Sequence, residues 1–236
     1  TSSINRSTNR DGSVPINRSC TGMNCSSREE TPRGVTASSG CVARGLSAML
    51  FTVVNELVEN IRRALHEAAD PARAVGAQAY MKSAMPFLGV PVPKVRSLVR
   101  ALASEVTFGD AKAFRDAVLA LWTPAKYREE RYAALALCAT KAAAPWQDLD
   151  ALPMYETMIV EGAWWDYVDE IAAHRLGELL RRFPKPLRAT MRRWSRDANL
   201  WKRRSAILCQ LQHKAATDFA FLEACIEPSL DSKEFF

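Results

Sequence analysis

Trp164-Trp165-Asp166-Tyr167-Val168-Asp169 sets two adjacent indoles beside two carboxylates three residues apart, within a stretch of helical period. On a helix Trp164, Val168 and Ile171 share one apolar stripe, the pattern of a face turned to a core. Trp165 and Asp169, four apart, stack on a neighbouring face that the stripe does not need. An aromatic surface beside a carboxylate suits a cationic or electron-poor partner, because the indole face attracts positive charge and the carboxylate adds to it. Both Trp can equally be packing residues and both Asp solvated, so this segment alone leaves two readings open.

Arg204 is the second residue of chemical interest. Leu200, Ile207, Leu208 and Leu211 predict an apolar stripe on a helix starting near Asn199, and Arg204 falls inside it. An arginine there must find a carboxylate or face a groove that receives an anion. Its neighbours Lys202 and Arg203 lie elsewhere on the helix, as phosphate contacts or as a solvated face.

The elements that must carry these groups are helices. Val53, Leu57, Ile61 and Leu65 form one stripe, and Val95, Leu98, Val99 and Leu102 another. Phe114, Val118 and Leu121 follow, then Tyr155, Met158 and Ile159, then Leu187, Met191 and Trp194, and last Phe219, Leu222 and Ile226. Breakers at Asp70-Pro71, Gly89 to Pro93, Thr123-Pro124, Pro145, Pro153, Pro184 to Pro186 and Pro228 separate them. No alternating strand pattern stands out, so the fold class is all-α. Helix pairs of about 35–45 residues joined by short turns suit a bundle or a HEAT-like α-solenoid, whose concave face would display unusual polar groups.

Residues 1–48 read differently. They hold ten Ser, five of the ten Gly, no Phe, Trp or Tyr and one Leu, Leu46. Such a segment buries too little apolar surface to offset its ordering entropy, so it is expected to be a disordered or non-native leader, with the folded domain at 49–236. Three Asn-x-Ser sequons at Asn5, Asn17 and Asn24 follow no apolar signal region and read as chance matches. The six Cys lack zinc spacing and read as reduced thiols in a cytoplasmic protein with no metal and no cofactor. No apolar run approaches a membrane span. Net charge is +6 over 236 residues with pI near 9.1. Six Arg against Asp11, Glu29 and Glu30 put half of that excess in the leader, leaving a mild basic bias in the domain.

Three stretches, in this order, resemble the AlkD family of HEAT-like DNA alkylation repair glycosylases. They are Tyr80-Met81-Lys82 leading through Phe87-Leu88-Gly89-Val90 to Pro93-Lys94-Val95-Arg96, then Trp164 to Asp169, then Asn199-Leu200-Trp201-Lys202-Arg203-Arg204-Ser205-Ala206-Ile207-Leu208. The closing Asp231-Ser232-Lys233-Glu234-Phe235-Phe236 is similar to the entry of the family's next helix. The resemblance implies Asp169 as catalytic carboxylate, Trp165 as aromatic contact to the lesion, Arg204 as backbone contact and Tyr80 as a further cleft residue. Lys94, Arg96, Lys202 and Arg203 are the remaining candidates for contact with DNA. The resemblance also implies a further helix pair with a second cleft Trp, so the chain reads as truncated at its C-terminus.

The implied reaction is hydrolysis of the N-glycosidic bond of cationic purines such as 3-methyladenine and 7-methylguanine. The implied partner is double-stranded DNA carrying alkylated bases, bound by a monomer in a shallow cleft that engages the backbone. A carboxylate can stabilise the oxocarbenium-like sugar and orient the attacking water. The rival is a non-catalytic HEAT-like scaffold for DNA or protein, which has no use for a carboxylate that repels phosphate.

Overall fold

The computed structural model describes the backbone from residue 39 and side chains from residue 52 onward. The expectation of a leader at 1–48 therefore falls mostly outside the described residues. Those residues are helical with no strand, as the periodicity predicts. In chain order the helices are α1 (Ser39–Glu67), α2 (Pro71–Met81), α3 (Val92–Ala103), α4 (Ala111–Trp122), α5 (Arg128–Cys138), α6 (Leu152–Gly162), α7 (Trp165–Glu170), α8 (Gly177–Arg182), α9 (Pro184–Trp194), α10 (Leu200–Leu208) and α11 (Phe219–Ile226). A π-helical segment, Ile171–Leu176, joins α7 to α8 without a break. None of these helices is long and apolar enough to cross a membrane.

Successive helices pack as neighbours. α4 lies on α5, α6 on α7 and α9 on α10. α5, α7 and α10 also touch in turn, while α4 meets α6. The stripe residues Leu57, Ile61, Leu65, Phe114, Val118, Leu121, Met158, Leu187 and Met191 are all buried, so most of the core follows from helical period alone.

Two late helices depart from it. On α10 the buried residues are Ser205 and Ala206, followed by Cys209 at its cap, while Leu200, Ile207 and Leu208 are half-buried and Leu211 is exposed. On α11 Phe221 and Cys225 are buried and Phe219 is exposed. On α10 the reason is backbone proximity. A Cβ placed on Gly177 would lie 2.8 Å from the Cys209 carbonyl oxygen, so small residues are what this contact between α8 and the end of α10 admits. Hydrophobic period counts apolar side chains and is blind to close approach.

α5 is the other exception. It is buried almost throughout, and its first turn carries the charged residues Arg128, Glu129 and Glu130 into the interior, at 5%, 1% and 4% exposure. Glu129 accepts the backbone N–H groups of Leu88, Gly89 and Val90 at 2.9, 2.8 and 3.2 Å, which fixes the loop before α3. Glu130 accepts from the Arg62 guanidinium at 3.0 Å and from the backbone of Lys126 and Tyr127, capping its own helix. Gly89 has φ +87, and a Cβ there would sit 2.0 Å from the Asp70 carbonyl oxygen. Gly89→Ala must therefore move backbone, and we expect a loss of about 3 kcal/mol or more from left-handed strain and overpacking together. A urea midpoint that falls by less than about 1 kcal/mol would contradict that placement.

Cys138, Cys209 and Cys225 are buried free thiols. Burial pushes the Cys138 and Cys209 thiols up to about 12 each. In an unfolded chain a thiol titrates near ~8.5. The folded value is the higher one, so the neutral thiols' contribution to stability is complete below about pH 8.5 and is lost as pH rises toward about 12. Urea midpoints taken at pH 8 and pH 10.5 should fall with pH, and the Cys138→Ala, Cys209→Ala double variant should show a shallower decline.

Candidate active site

The local fold around Trp164 to Asp169 begins with a helix stop. α6 ends at Gly162, where an added Cβ would lie 2.9 Å from the Trp122 indole. Ala163 then takes a left-handed conformation, φ 41 and ψ 40, and its N–H bonds back to Ile159. Trp164 follows as an extended residue whose carbonyl accepts the Val168 N–H at 3.1 Å, so α7 starts at Trp165. Trp164 is thus the cap rather than a member of the helical stripe, while Val168 and Ile171 are buried as that stripe predicts. The two carboxylates fall on successive turns of α7.

They meet different arginines. Asp166 lies on the buried Arg128, whose Nη2 donates to both carboxylate oxygens at 2.7 and 2.8 Å. Tyr132 donates its hydroxyl to the same carboxylate at 2.7 Å. Burial, followed by the charge of Asp166, pushes the Tyr132 phenol well above its usual range, which keeps it a donor. The Arg128 guanidinium stacks 4.3 Å from the Tyr167 ring. Burial alone would lower its pKa, but the Tyr167, Tyr132 and Asp166 neighbours outweigh that and raise it. Neither aspartate is simply solvated.

Asp169 pairs with Arg204. Nε and Nη2 of the guanidinium each donate at 2.7 Å to a separate carboxylate oxygen, the two-pronged geometry that suits this pair. The side chains keep 30% and 23% of their exposure, so the pair is open on one side. Arg204 also donates to the Phe236 carbonyl at 3.3 Å and lies 5.8 Å from the Phe236 ring. That ring packs 5.9 Å from Trp164 and 5.2 Å from Trp201. Of the two sequence readings of Arg204, the ion pair forms, and it ties α7 to α10. Arg204 sits on the half-exposed side of α10 rather than within a buried stripe.

Trp165 is half-buried and lines a cavity of about 270 Å³. Met81, Val92 and Leu135 give it apolar walls, and Tyr132 and Asp166 bring in the buried polar network. At its edge Arg96 pairs with Glu170 at 3.0 Å. The candidate cations are mostly compensated in the same way. Lys202 lies on Glu156 and on Asp197, the latter at 3.3 Å, and Arg203 pairs with Glu234. Backbone donation from Asn199, then Lys202, holds the Asp197 carboxyl below its usual range. Glu156 raises the Lys202 ammonium. Lys94 is exposed and forms no ion pair among the described residues.

The structure therefore brings Asp169 and Arg204 together with Trp165 one turn away. Tyr80, 79% exposed at the end of α2, makes no bond or ring contact with them, and it is its neighbour Met81 that reaches the cavity. Arg128, Tyr132, Glu170, Trp201 and Phe236 belong to the surroundings and were not singled out by sequence pattern. One signal was available for Arg128. The run Ala133 to Cys138 is apolar on every side, which marks a helix buried all round and its charged first turn with it.

An all-helical fold, with no strand among its described residues, thus presents a carboxylate–guanidinium pair beside indoles. The sequence profile of the DNA alkylation repair enzymes matches residues 61–236, and the chain belongs to that family. A solved structure titled as a predicted DNA alkylation repair enzyme from Enterococcus faecalis shares this fold, with a TM-score of 0.63 and 24% identity over 71% of this chain and 76% of that one. No curated protein matches the chain.

Proposed function

We propose that the protein is a DNA glycosylase that hydrolyses the N-glycosidic bond of alkylated, cationic purines such as 3-methyladenine and 7-methylguanine in duplex DNA. The observation that supports it most is the half-open Asp169–Arg204 pair one helical turn from Trp165, in a chain of this family. A bidentate arginine engages two of the carboxylate's roughly four lone-pair sites and leaves the others for a water or a developing cation. Alkylation has already made the base a leaving group, so the bond electrons depart with it as a neutral base. The water oxygen bonds to the sugar carbon and gives up its proton to bulk water. Asp169 stabilises the oxocarbenium-like sugar and orients that water, Trp165 lies against the lesion or the sugar, and Arg204 both aims the carboxylate and faces a phosphate. Stacked pairs of HEAT-like type serve as the platform.

A second reading has a specific observation in its favour. Both Asp169 oxygens are occupied by Arg204, which is what a structural clasp between α7 and α10 in a non-catalytic scaffold would require. Incubation of the chain with a methylated duplex separates the two. Release of free methylated base, with alkali-labile sites left in the strand, is expected of the glycosylase. Binding without release over hours would establish the scaffold.

A further inference from the structure

The arginines and lysines expected to meet DNA are nearly all neutralised within the protein: Arg96 by Glu170, Lys202 by Glu156 and Asp197, Arg203 by Glu234 and Arg204 by Asp169. A dense run of positive charge lies elsewhere. Between Arg181 and Arg196 the chain holds seven Arg and Lys and no Asp or Glu. α9, within this stretch, buries Leu187, Met191 and Trp194 and so turns its cations outward. Arg181 pairs with Glu178 and Arg188 with Asp218. Lys185, Arg192, Arg193 and Arg196 are exposed and form no ion pair among the described residues.

Helix stability explains only part of this set. Arg192 and Arg193 in the last turn complement the helix dipole, but Lys185 in the first turn opposes it, and no acidic residue is present there to offset it. Arg196 lies in the turn after α9 and donates to the Arg192 carbonyl at 3.1 Å, which leaves the rest of its guanidinium outward. Lys185 and Arg192 lie seven residues apart and so share one face of α9, roughly 10 Å apart at 1.5 Å per residue, and Arg196 follows in the turn beyond the helix end. A row of this kind fits a line of phosphates. The exposed face of α9 offers no large apolar side chain for a lipid surface and no aromatic platform for unpaired bases, since Trp194 is buried and Phe183 half-buried. None of the four cations is bonded to Asp169, Arg204 or the cavity wall.

We infer that the exposed face of α9 binds the phosphate backbone of an undamaged DNA duplex, as a contact surface separate from the Asp169–Arg204 site. Because it needs no lesion and no base release, it stands or falls independently of the glycosylase reading. The probe is a labelled, unmodified duplex titrated with the full chain at several salt concentrations. Against wild type, K185Q/R192Q/R193Q/R196Q should bind at least tenfold more weakly at low salt. Its slope of log affinity against log salt should shrink by about 3–4, as expected for four lost phosphate contacts. The charge-reversed K185E/R192E/R193E/R196E should lose more, and the glutamine set serves if that variant does not fold. An unchanged slope in a folded glutamine variant overturns the inference. So does a variant that loses affinity for vesicles rich in anionic lipid while holding the duplex as before.

Discussion

Asp169→Asn should lower base release from a methylated duplex by at least 10²–10³-fold while the protein stays folded, the scale set by removing one preorganised electrostatic contact. The substitution keeps shape and removes charge where positive charge develops on the sugar. It also removes a negative charge from a surface that phosphate must approach, so duplex affinity should hold or rise slightly. The half-open geometry decides the stability side. With 30% and 23% of the two side chains exposed, Arg204 can turn to water, and the loss should stay near ~1–2 kcal/mol, between an exposed pair and a buried one. The measurement is single-turnover release at saturating protein beside the thermal midpoint. Turnover at the wild-type rate removes Asp169 from the reaction. A stability loss of several kcal/mol with release falling in proportion would make the pair a clasp.

The larger stability effect belongs to the other aspartate. Asp166→Ala takes two charge-assisted bonds from Arg128, which has 5% of its surface exposed and pairs with no other carboxylate among the described residues. Leaving that charge buried and unpaired should cost about 3–5 kcal/mol. For a folded unit of this size that is roughly 10 °C in thermal midpoint. Adding Arg128→Met should restore part of the loss, because the cost lies in the stranded charge more than in the missing contact. A loss below about 1 kcal/mol would mean that water reaches Arg128. Thus two carboxylates three residues apart carry opposite expectations, one for turnover and one for folding.

Apart from the family resemblance, which singles out Asp169, the local sequence says little of how those two residues differ. Asp166 and Asp169 share type, helix and near neighbours, and what separates them is which arginine the tertiary fold delivers, one 38 residues away and the other 35. The helices themselves were legible because their stripes and breakers are local. So was the segment Trp164 to Asp169, whose composition is unusual in itself. Partners such as Arg128, Glu170 and Phe236 depend on long-range packing, and a close backbone approach such as Cys209 to Gly177 leaves no hydrophobic period to read.

The π segment between α7 and α8 has a consequence for any change of chain length here. The Gly177 N–H reaches back to the Ala172 carbonyl, five residues away, so the helix carries one residue more than α-helical winding would use. That surplus residue works as a phase offset. Trp165, Asp166 and Asp169 are set in one rotational frame, while Leu176, Leu179 and Leu180 reach the core in another, about 100° apart. Deleting a single residue from Ile171–Leu176 would let the helix relax to ordinary winding, and one end would then have to rotate against the other. Either the leucines leave the core or the aspartates swing away from Arg128 and Arg204, so this short stretch is where the chain's length and its chemistry are locked together.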